Sequence, residues 1–341
     1  EVEIVARESS PARLAGFAIV AVGMGIALLY FSEFRGSRRH LPGRTVEEVA
    51  KVIRDDELDV LVYPELGMHP DTFALAALRL APVQCAGWGH PTTTGLSTLD
   101  VFFSCEAMEP EGAEAHYRER LVRLPGLGTN YAFPDDAENA SRRDLGLPEG
   151  RRLYLVPQSV FKIHPDNDAL VADVLAADPE GAAVFFAAGP ASLIDATVKR
   201  MKPALAARGL SPAKHLLFLP GMTHGAYLAV NRACDVMLDT LHWSGGNTSL
   251  DALASGLPVV TRPGTLMRGR QSLAMLRLLG LEDELVAKDA AHFTALAAGI
   301  ARDPERRLAL SKRIEEARPR LFGDGNPVRA FAAALERIAA R

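Results

Sequence analysis

Short apolar runs recur along this chain, and between them the apolar positions fall three and four residues apart. The runs predict strands over residues 59–63, 83–88, 101–104 and 121–124, and then over 153–156, 183–188, 216–219, 235–239 and 258–261. The wider spacing predicts helices over 45–54, 71–80, 166–177, 192–208, 224–233, 247–255 and 267–279. Two more close the chain, 290–317 with a break at Asp303-Pro304, and 328–340. Strands and helices that alternate in this way imply parallel sheets covered on both faces, with ligands bound outside the strands' carboxyl ends.

Punctuation divides the pattern. The polar stretch 134–151 carries Gly146, Pro148 and Gly150 and reads as a linker. It implies an N-terminal lobe over 1–148, a second lobe over 149–322, and a C-terminal helical segment over 323–341. The run 14–31 is uncharged and just long enough to be a membrane-span candidate. Gly16, Gly23, Gly25 and several alanines dilute it, so it reads equally as a buried strand, turn and helix, and no membrane contact is expected. Gly23-Met24-Gly25 alone is too little for a nucleotide loop.

Composition narrows the class. With 341 residues, 48% hydrophobic and 23% charged, the chain can bury two cores without metals or disulfides. A net charge of -4 argues against a nucleic-acid surface, which needs concentrated lysine and arginine. The 3 cysteines, Cys85, Cys105 and Cys234, are far apart and lack metal-ligand spacing, as expected for reduced thiols in a cytoplasmic protein.

The sharpest local signal is the stretch from Trp243 to Asp251, which follows a predicted strand and opens a helix. Gly245 and Gly246 let a backbone approach closely, Asn247 and Thr248 can cap the helix, and unpaired amides at a helix start attract phosphate. Asp251 shares a helical face with Asn247 and Thr248, where a carboxylate suits a ribose diol. Taken alone this is an ordinary glycine-rich turn. Its significance comes from a second loop, Pro157 to Pro165, which also follows a strand and carries Ser159 and Lys162. Lys162 is set among apolar residues and can neutralise a pyrophosphate. A third loop brings Met222 and, on the next helix, Tyr227, which can hold a flat base. Asp166-Asn167-Asp168 imitates an Asp-x-Asp metal motif but reads as acids at a helix start.

These blocks, with Leu58 to Pro64, Leu80 to Gln84, Gly89 to Gly95, and Pro263-Gly264 with Arg270, resemble the O-GlcNAc transferase and SPINDLY-like protein glycosyltransferases over about residues 45–320. The resemblance implies α/β lobes of the GT-B fold, two Rossmann-like lobes with a cleft between them. The first lobe would be incomplete and truncated at its N-terminus. It also implies inverting transfer, without metal or cofactor, of GlcNAc from a UDP-sugar to serine or threonine of a protein or peptide acceptor. Lys162 would meet the leaving diphosphate, Asn247 and Thr248 its phosphates, Asp251 the ribose, and the Met222 backbone with Tyr227 the base. Gly89, His90, Pro91 and Thr92 would approach the sugar, with His90 or His69 as acceptor of the proton. The family's histidine-bearing glycine-rich loop has no match before residue 45, and its tetratricopeptide repeats do not occur in the chain. This leaves two alternatives: a non-catalytic remnant that binds a nucleotide sugar or a protein, or another GT-B enzyme such as a sugar-nucleotide epimerase.

Overall fold

The computed structural model describes residues 2–6, 17–22, 37–41, 43–187 and 189–340. The chain forms two compact units, Glu1–Ala132 with Gly323–Arg341, and Phe133–Phe322.

The first unit contains β1 (Val2–Ala6), β2 (Phe17–Val22), β3 (Ser37–Leu41), β4 (Val60–Tyr63), β5 (Val83–Gly87), β6 (Val101–Cys105) and β7 (Arg120–Leu124). They make one sheet in the order β3-β1-β2-β4-β5-β6-β7. From β2 through β7 all neighbours are parallel, and β1 pairs antiparallel with β2 and β3. The apolar run 14–31 thus contributes β2, and its remainder lies outside the described residues. Among the described residues no helix is long and apolar enough to cross a membrane.

The helix Asn326–Ala339 returns to this unit. Its apolar positions Phe331, Ala334, Leu335 and Ile338 recur at helical spacing and pack on Val60, Val62, Cys85, Val101, Phe103 and Leu124. Phe331 meets Phe103 edge-on at 4.8 Å between ring centroids. Burying a side chain of this size stabilises the unit by roughly 1.5–3 kcal/mol.

The second unit has β8 (Leu153–Leu155), β9 (Ala182–Phe186), β10 (Leu216–Leu219), β11 (Val236–Leu238) and β12 (Val259–Val260). All pair in parallel in the order β10-β9-β8-β11-β12. The chain leaves β8 toward β9 and β10, then crosses back to β11 on the other side of β8. The carboxyl ends of β8 and β11 therefore flank the topological switch point, where open α/β sheets take their ligands.

The helices Asp166–Ala177 and His224–Ala233 and strand β10 take the predicted bounds. Most others shift by one or two residues, and two elements differ further. The helix predicted over 71–80 ends at Ala76, after His69 caps its start by accepting the Asp71 amide at 3.2 Å. The helix predicted over 267–279 is a short turn, Met267–Gly269, followed by a helix from Gln271, because the Gly264 amide bonds to the Gly269 carbonyl at 2.9 Å and holds the turn apart. The predicted break at Asp303-Pro304 is present. Asp303 accepts the Arg306 amide at 2.9 Å as cap, and Pro304 takes a first-turn position that has no amide to lose.

Candidate functional site

The loop after β8 turns through Val160–Lys162, with Ser159 as its first residue and the Lys162 amide bonded to the Ser159 carbonyl at 2.8 Å. Lys162 is half-buried, and burial alone holds its pKa below the usual lysine value. Its ammonium rests 5.4 Å from the Trp243 ring centroid and 5.7 Å from that of Phe161. Among the described residues no carboxylate pairs with it. Cation–π attraction at a half-exposed site is worth ~0.5–1 kcal/mol, well short of a carboxylate's or phosphate's pull, so the charge is left available.

Trp243 belongs to the loop after β11, so the lysine loop and the glycine-rich loop touch. Buried Gln158 joins them again through Nε2 to the Trp243 carbonyl at 3.3 Å. The two groups the sequence assigns to a diphosphate, Lys162 and the start of the helix Asn247–Ala254, therefore lie on contacting loops at the ends of adjacent strands.

The glycine-rich loop departs from expectation in one respect. The helix cap is Gly246, with no side-chain capping bond, so Asn247 and Thr248 sit in the first turn rather than capping it. The amides of Gly246, Asn247 and Thr248 bond to no other group among the described residues, whereas the Gly245 amide is taken by Asp239 at 2.8 Å. Gly245 has no room for a side chain: a Cβ there would run into the Ser249 hydroxyl, Thr248 Oγ1 at 2.6 Å and the Ser249 amide at 3.2 Å. At Gly246 a Cβ would meet only the movable end of Gln271, Oε1 at 2.8 Å.

Asp239 holds the loop. Its buried carboxylate accepts from the amides of Thr240 (3.0 Å) and Gly245 (2.8 Å) and from the hydroxyls of Ser244 and Thr261, both at 2.7 Å. Burial raises its pKa, with the Gly245 amide and the Thr261 and Ser244 hydroxyls opposing. Ser244 continues the network to Ser272 Oγ at 2.9 Å, which lies 2.8 Å from Ser249 Oγ. The sequence offered one clue to this scaffold: an acid closing an apolar strand just ahead of a glycine-rich loop.

Asp251 lies one turn into the same helix, mostly buried, and faces His224 Nε2 at 3.4 Å. His224 Nδ1 is 3.1 Å from Asp136. Burial opposes the charged imidazole, but the Asp251 and Asp136 carboxylates outweigh it and raise the His224 pKa. Burial likewise raises the Asp251 pKa, against the pull of His224. The Tyr227 ring stacks on His224 at 6.2 Å and lies 5.1 Å from Phe186, and its hydroxyl is buried without a hydrogen-bond partner. Met222, half-buried, precedes this helix in the loop that follows β10. Asp251, Tyr227 and Met222 thus fall at one edge of the sheet with the two loops.

In the first unit, Gly89 is needed because a Cβ there would meet the Pro64 carbonyl at 2.8 Å. His90 lies against Gly67, where a Cβ would meet its Cδ2 at 2.9 Å. Pro91 is buried, and Thr92 Oγ1 is buried without a hydrogen-bond partner. The loop is fastened by a residue the sequence reading missed, Glu119, which accepts Thr93 Oγ1 at 2.6 Å, the Thr94 amide at 2.8 Å and Thr94 Oγ1. Burial would raise the Glu119 pKa, but these donors outweigh it and lower it. Away from these residues, a cavity of about 240 Å³ lined by Asp235, Gly256 and Arg307 opens at the amino ends of β11 and β12.

The sequence matches Glycosyl transferase family 41 over residues 126–323. It is 29% identical over 271 residues to the tomato (Solanum lycopersicum) SPINDLY protein, a probable UDP-N-acetylglucosamine–peptide N-acetylglucosaminyltransferase, covering 79% of this chain and 28% of that protein. It is 24% identical over 278 residues to the UDP-glucose:protein N-beta-glucosyltransferase of Actinobacillus pleuropneumoniae, covering 80% of this chain and 43% of that one. Among solved structures, a lysine-to-methionine mutant of O-GlcNAc transferase from Thermobaculum terrenum aligns with a TM-score of 0.73 at 30% identity, over 88% of this chain and 56% of the other. The chain thus spans only part of the length of the proteins it matches. Its mainly parallel sheets and this likeness give it the GT-B fold. The match, which spans the whole second unit with its lysine and glycine-rich loops, makes the chain a member of glycosyl transferase family 41.

Proposed function

We propose that this chain is the catalytic part of a cytoplasmic, inverting, metal-independent glycosyltransferase that moves GlcNAc from UDP-GlcNAc to serine or threonine side chains of proteins. One observation carries the reading: a desolvated lysine without a carboxylate partner and the unpaired amides of Gly246, Asn247 and Thr248 stand on contacting loops at the switch point.

In this reaction the acceptor oxygen attacks the anomeric carbon on the face opposite the diphosphate. The bond from that carbon to the phosphate oxygen breaks, UDP departs with its electron pair, and the hydroxyl proton passes to a base, which we assign to His90. Charge grows on the departing diphosphate, and oriented amides with an ammonium group meet it without a cation. Asp251 is assigned to the ribose, and Tyr227 with the Met222 backbone to the base. Ser159, Gly245 and Gly246 shape the phosphate cradle, and Gly89, Pro91 and Thr92 the sugar side. The three free, buried cysteines accord with a reducing compartment.

Calorimetry with UDP, followed by radiolabelled transfer from UDP-GlcNAc, UDP-glucose and GDP-fucose to peptide mixtures in the presence of a chelator, tests this. UDP binding with chelator-resistant transfer from UDP-GlcNAc is the expected result. Replacing Lys162 by Met should lower the transfer rate by ~10²–10³-fold while leaving the melting temperature within a few degrees. Binding without transfer would instead favour a non-catalytic nucleotide-sugar protein, and absence of UDP binding would remove both readings.

A further inference from the structure

Two histidines outside the assigned donor contacts converge on one carboxylate. His164 follows β8 and His242 follows β11, and they reach Asp166 from different loops. His242 Nε2 is 2.7 Å from Asp166 Oδ2, and His164 Nδ1 is 3.4 Å from Asp166 Oδ1. The two imidazole rings meet edge to face at 4.6 Å. One ligand atom from each of the three residues lies within 4.8 Å of the others, and all three side chains are exposed. From this arrangement we propose that His164, Asp166 and His242 form a binding site for a divalent transition-metal ion of the zinc class.

The donor set selects the ion. Two imidazoles and one carboxylate suit zinc and its neighbours in the first transition row, whereas magnesium and calcium prefer all-oxygen shells. Zinc bonds of about 2.0–2.2 Å place tetrahedral ligand atoms roughly 3.3 Å apart. The two histidine–carboxylate separations, each to a different oxygen of Asp166, bracket that spacing, and side-chain rotation has only to bring three atoms already within 4.8 Å of one another around a common centre. Exposure leaves the fourth position open to water or another oxygen.

The backbone beneath the ligands is fixed, which distinguishes the cluster from mobile surface charges that happen to meet. Asn167, 2% exposed, accepts the Leu241 amide at 2.9 Å and donates to the His164 carbonyl at 2.9 Å. One buried amide thus staples together the two loops that carry the histidines. Thr240 Oγ1 closes the turn around His242 with a 2.7 Å bond to the Trp243 carbonyl. His242 itself sits at φ +67°, a left-handed conformation uncommon for residues with a side chain, so its ring is aimed at some conformational expense. Outer supports of this kind orient metal ligands. Arg262 stands close enough to act on the Asp166 carboxylate and would compete with the ion for it. Asp168, next along, is excluded as a ligand because Arg200 clamps it at 2.8 and 2.9 Å.

The test is a zinc chloride titration by calorimetry on the untagged chain, without nucleotide, with melting temperature and the visible spectrum of the cobalt-substituted protein as independent readouts. The expected result is one ion per chain, a melting temperature that rises with zinc, and a cobalt spectrum of tetrahedral type. His164→Ala and His242→Ala should each weaken binding at least ~10-fold and the double variant abolish it, while His116→Ala, at an exposed histidine of the first unit, leaves it unchanged. Lack of zinc binding by the wild-type chain would overturn the proposal, as would binding that survives undiminished in a folded double variant. Because the titration contains no nucleotide, neither result bears on glycosyl transfer.

Discussion

Asp239 is where the scaffold of the site can be separated from its chemistry. Its Oδ1 accepts two backbone amides and its Oδ2 two hydroxyls. The two kinds of donor respond differently to substitution. In Asp239→Asn the remaining oxygen can keep both amides, and the new NH₂ can donate to Ser244 and Thr261, whose hydroxyls turn to accept. In Asp239→Ala the hydroxyls find other partners, Ser272 being 2.9 Å from Ser244, but the buried amides of Thr240 and Gly245 are stranded. At ~1–3 kcal/mol per unsatisfied buried group, the alanine variant should lose about 2–6 kcal/mol and the asparagine variant about 1 kcal/mol or less.

Urea unfolding followed by fluorescence measures this within one unit. The chain has 2 tryptophans, Trp88 in the first unit and Trp243 in the second, so a Trp88→Phe background reports the second unit alone. The midpoint should fall strongly for alanine and little for asparagine at constant slope. A pH series adds a sign. The folded pKa of Asp239 is raised above its unfolded value, so the associated stability is full below about 3.9 and is lost as pH rises through the folded value. Asp239→Asn should lack that decline. Equal losses in the two variants, or a loss below ~1 kcal/mol for alanine, would refute this division of the carboxylate between amides and hydroxyls.

Two further outcomes follow from neighbouring residues. Gly245→Ala drives a methyl group against Thr248 Oγ1 and the buried Ser249 hydroxyl and should shift the helix start, lowering the melting temperature by a few degrees and weakening UDP binding by roughly 10-fold in calorimetry. Unaltered affinity would show that the close approach at Gly245 is not needed. His224→Gln should lower the melting temperature most below about pH 6.5. Because the folded pKa of His224 is raised, that deficit should shrink as pH passes the folded value, and a deficit constant across pH would contradict the Asp136–His224–Asp251 bridge.

The second unit was legible because its inner strands are buried on both faces. Runs such as Leu153–Leu155 read as strands without ambiguity, and the helix Asp166–Ala177 announced itself with acids at its start. Lys162 could be singled out because an isolated charge among apolar residues after a strand is conspicuous. What pattern could not supply was pairing across distance. Asp166 looked like a helix-start acid because its partner His242 is far along the chain, and nothing local marked Glu119 as the anchor of Thr93 and Thr94. Hydrophobic periodicity reports which face a residue takes and carries no information about which donors a buried carboxylate collects. Asn247 and Thr248 show the converse error. Their type suits a cap, yet Gly246 occupies that seat and both fall in the first turn.

That displaced cap links structure to chemistry. Had Asn247 or Thr248 capped the helix, a side-chain oxygen would satisfy amides of the first turn, and an incoming phosphate would have to displace it. With glycine in the seat the amides remain unpaired, and Asp239 holds the loop from behind through Gly245 without using them. Lys162 follows the same logic: its ammonium is already partly stripped of water and leans on Trp243 in place of a carboxylate. A phosphate oxygen arriving about 4 Å away gains up to ~4 kcal/mol of Coulomb attraction at an effective dielectric of about 20. No existing ion pair has to be broken to obtain it, and part of the desolvation has already been met in folding. The carboxylates nearby are engaged elsewhere, Asp239 by its four donors, Asp251 by His224 and Asp166 by His242, so Lys162 and the first-turn amides are left unpaired among the described residues.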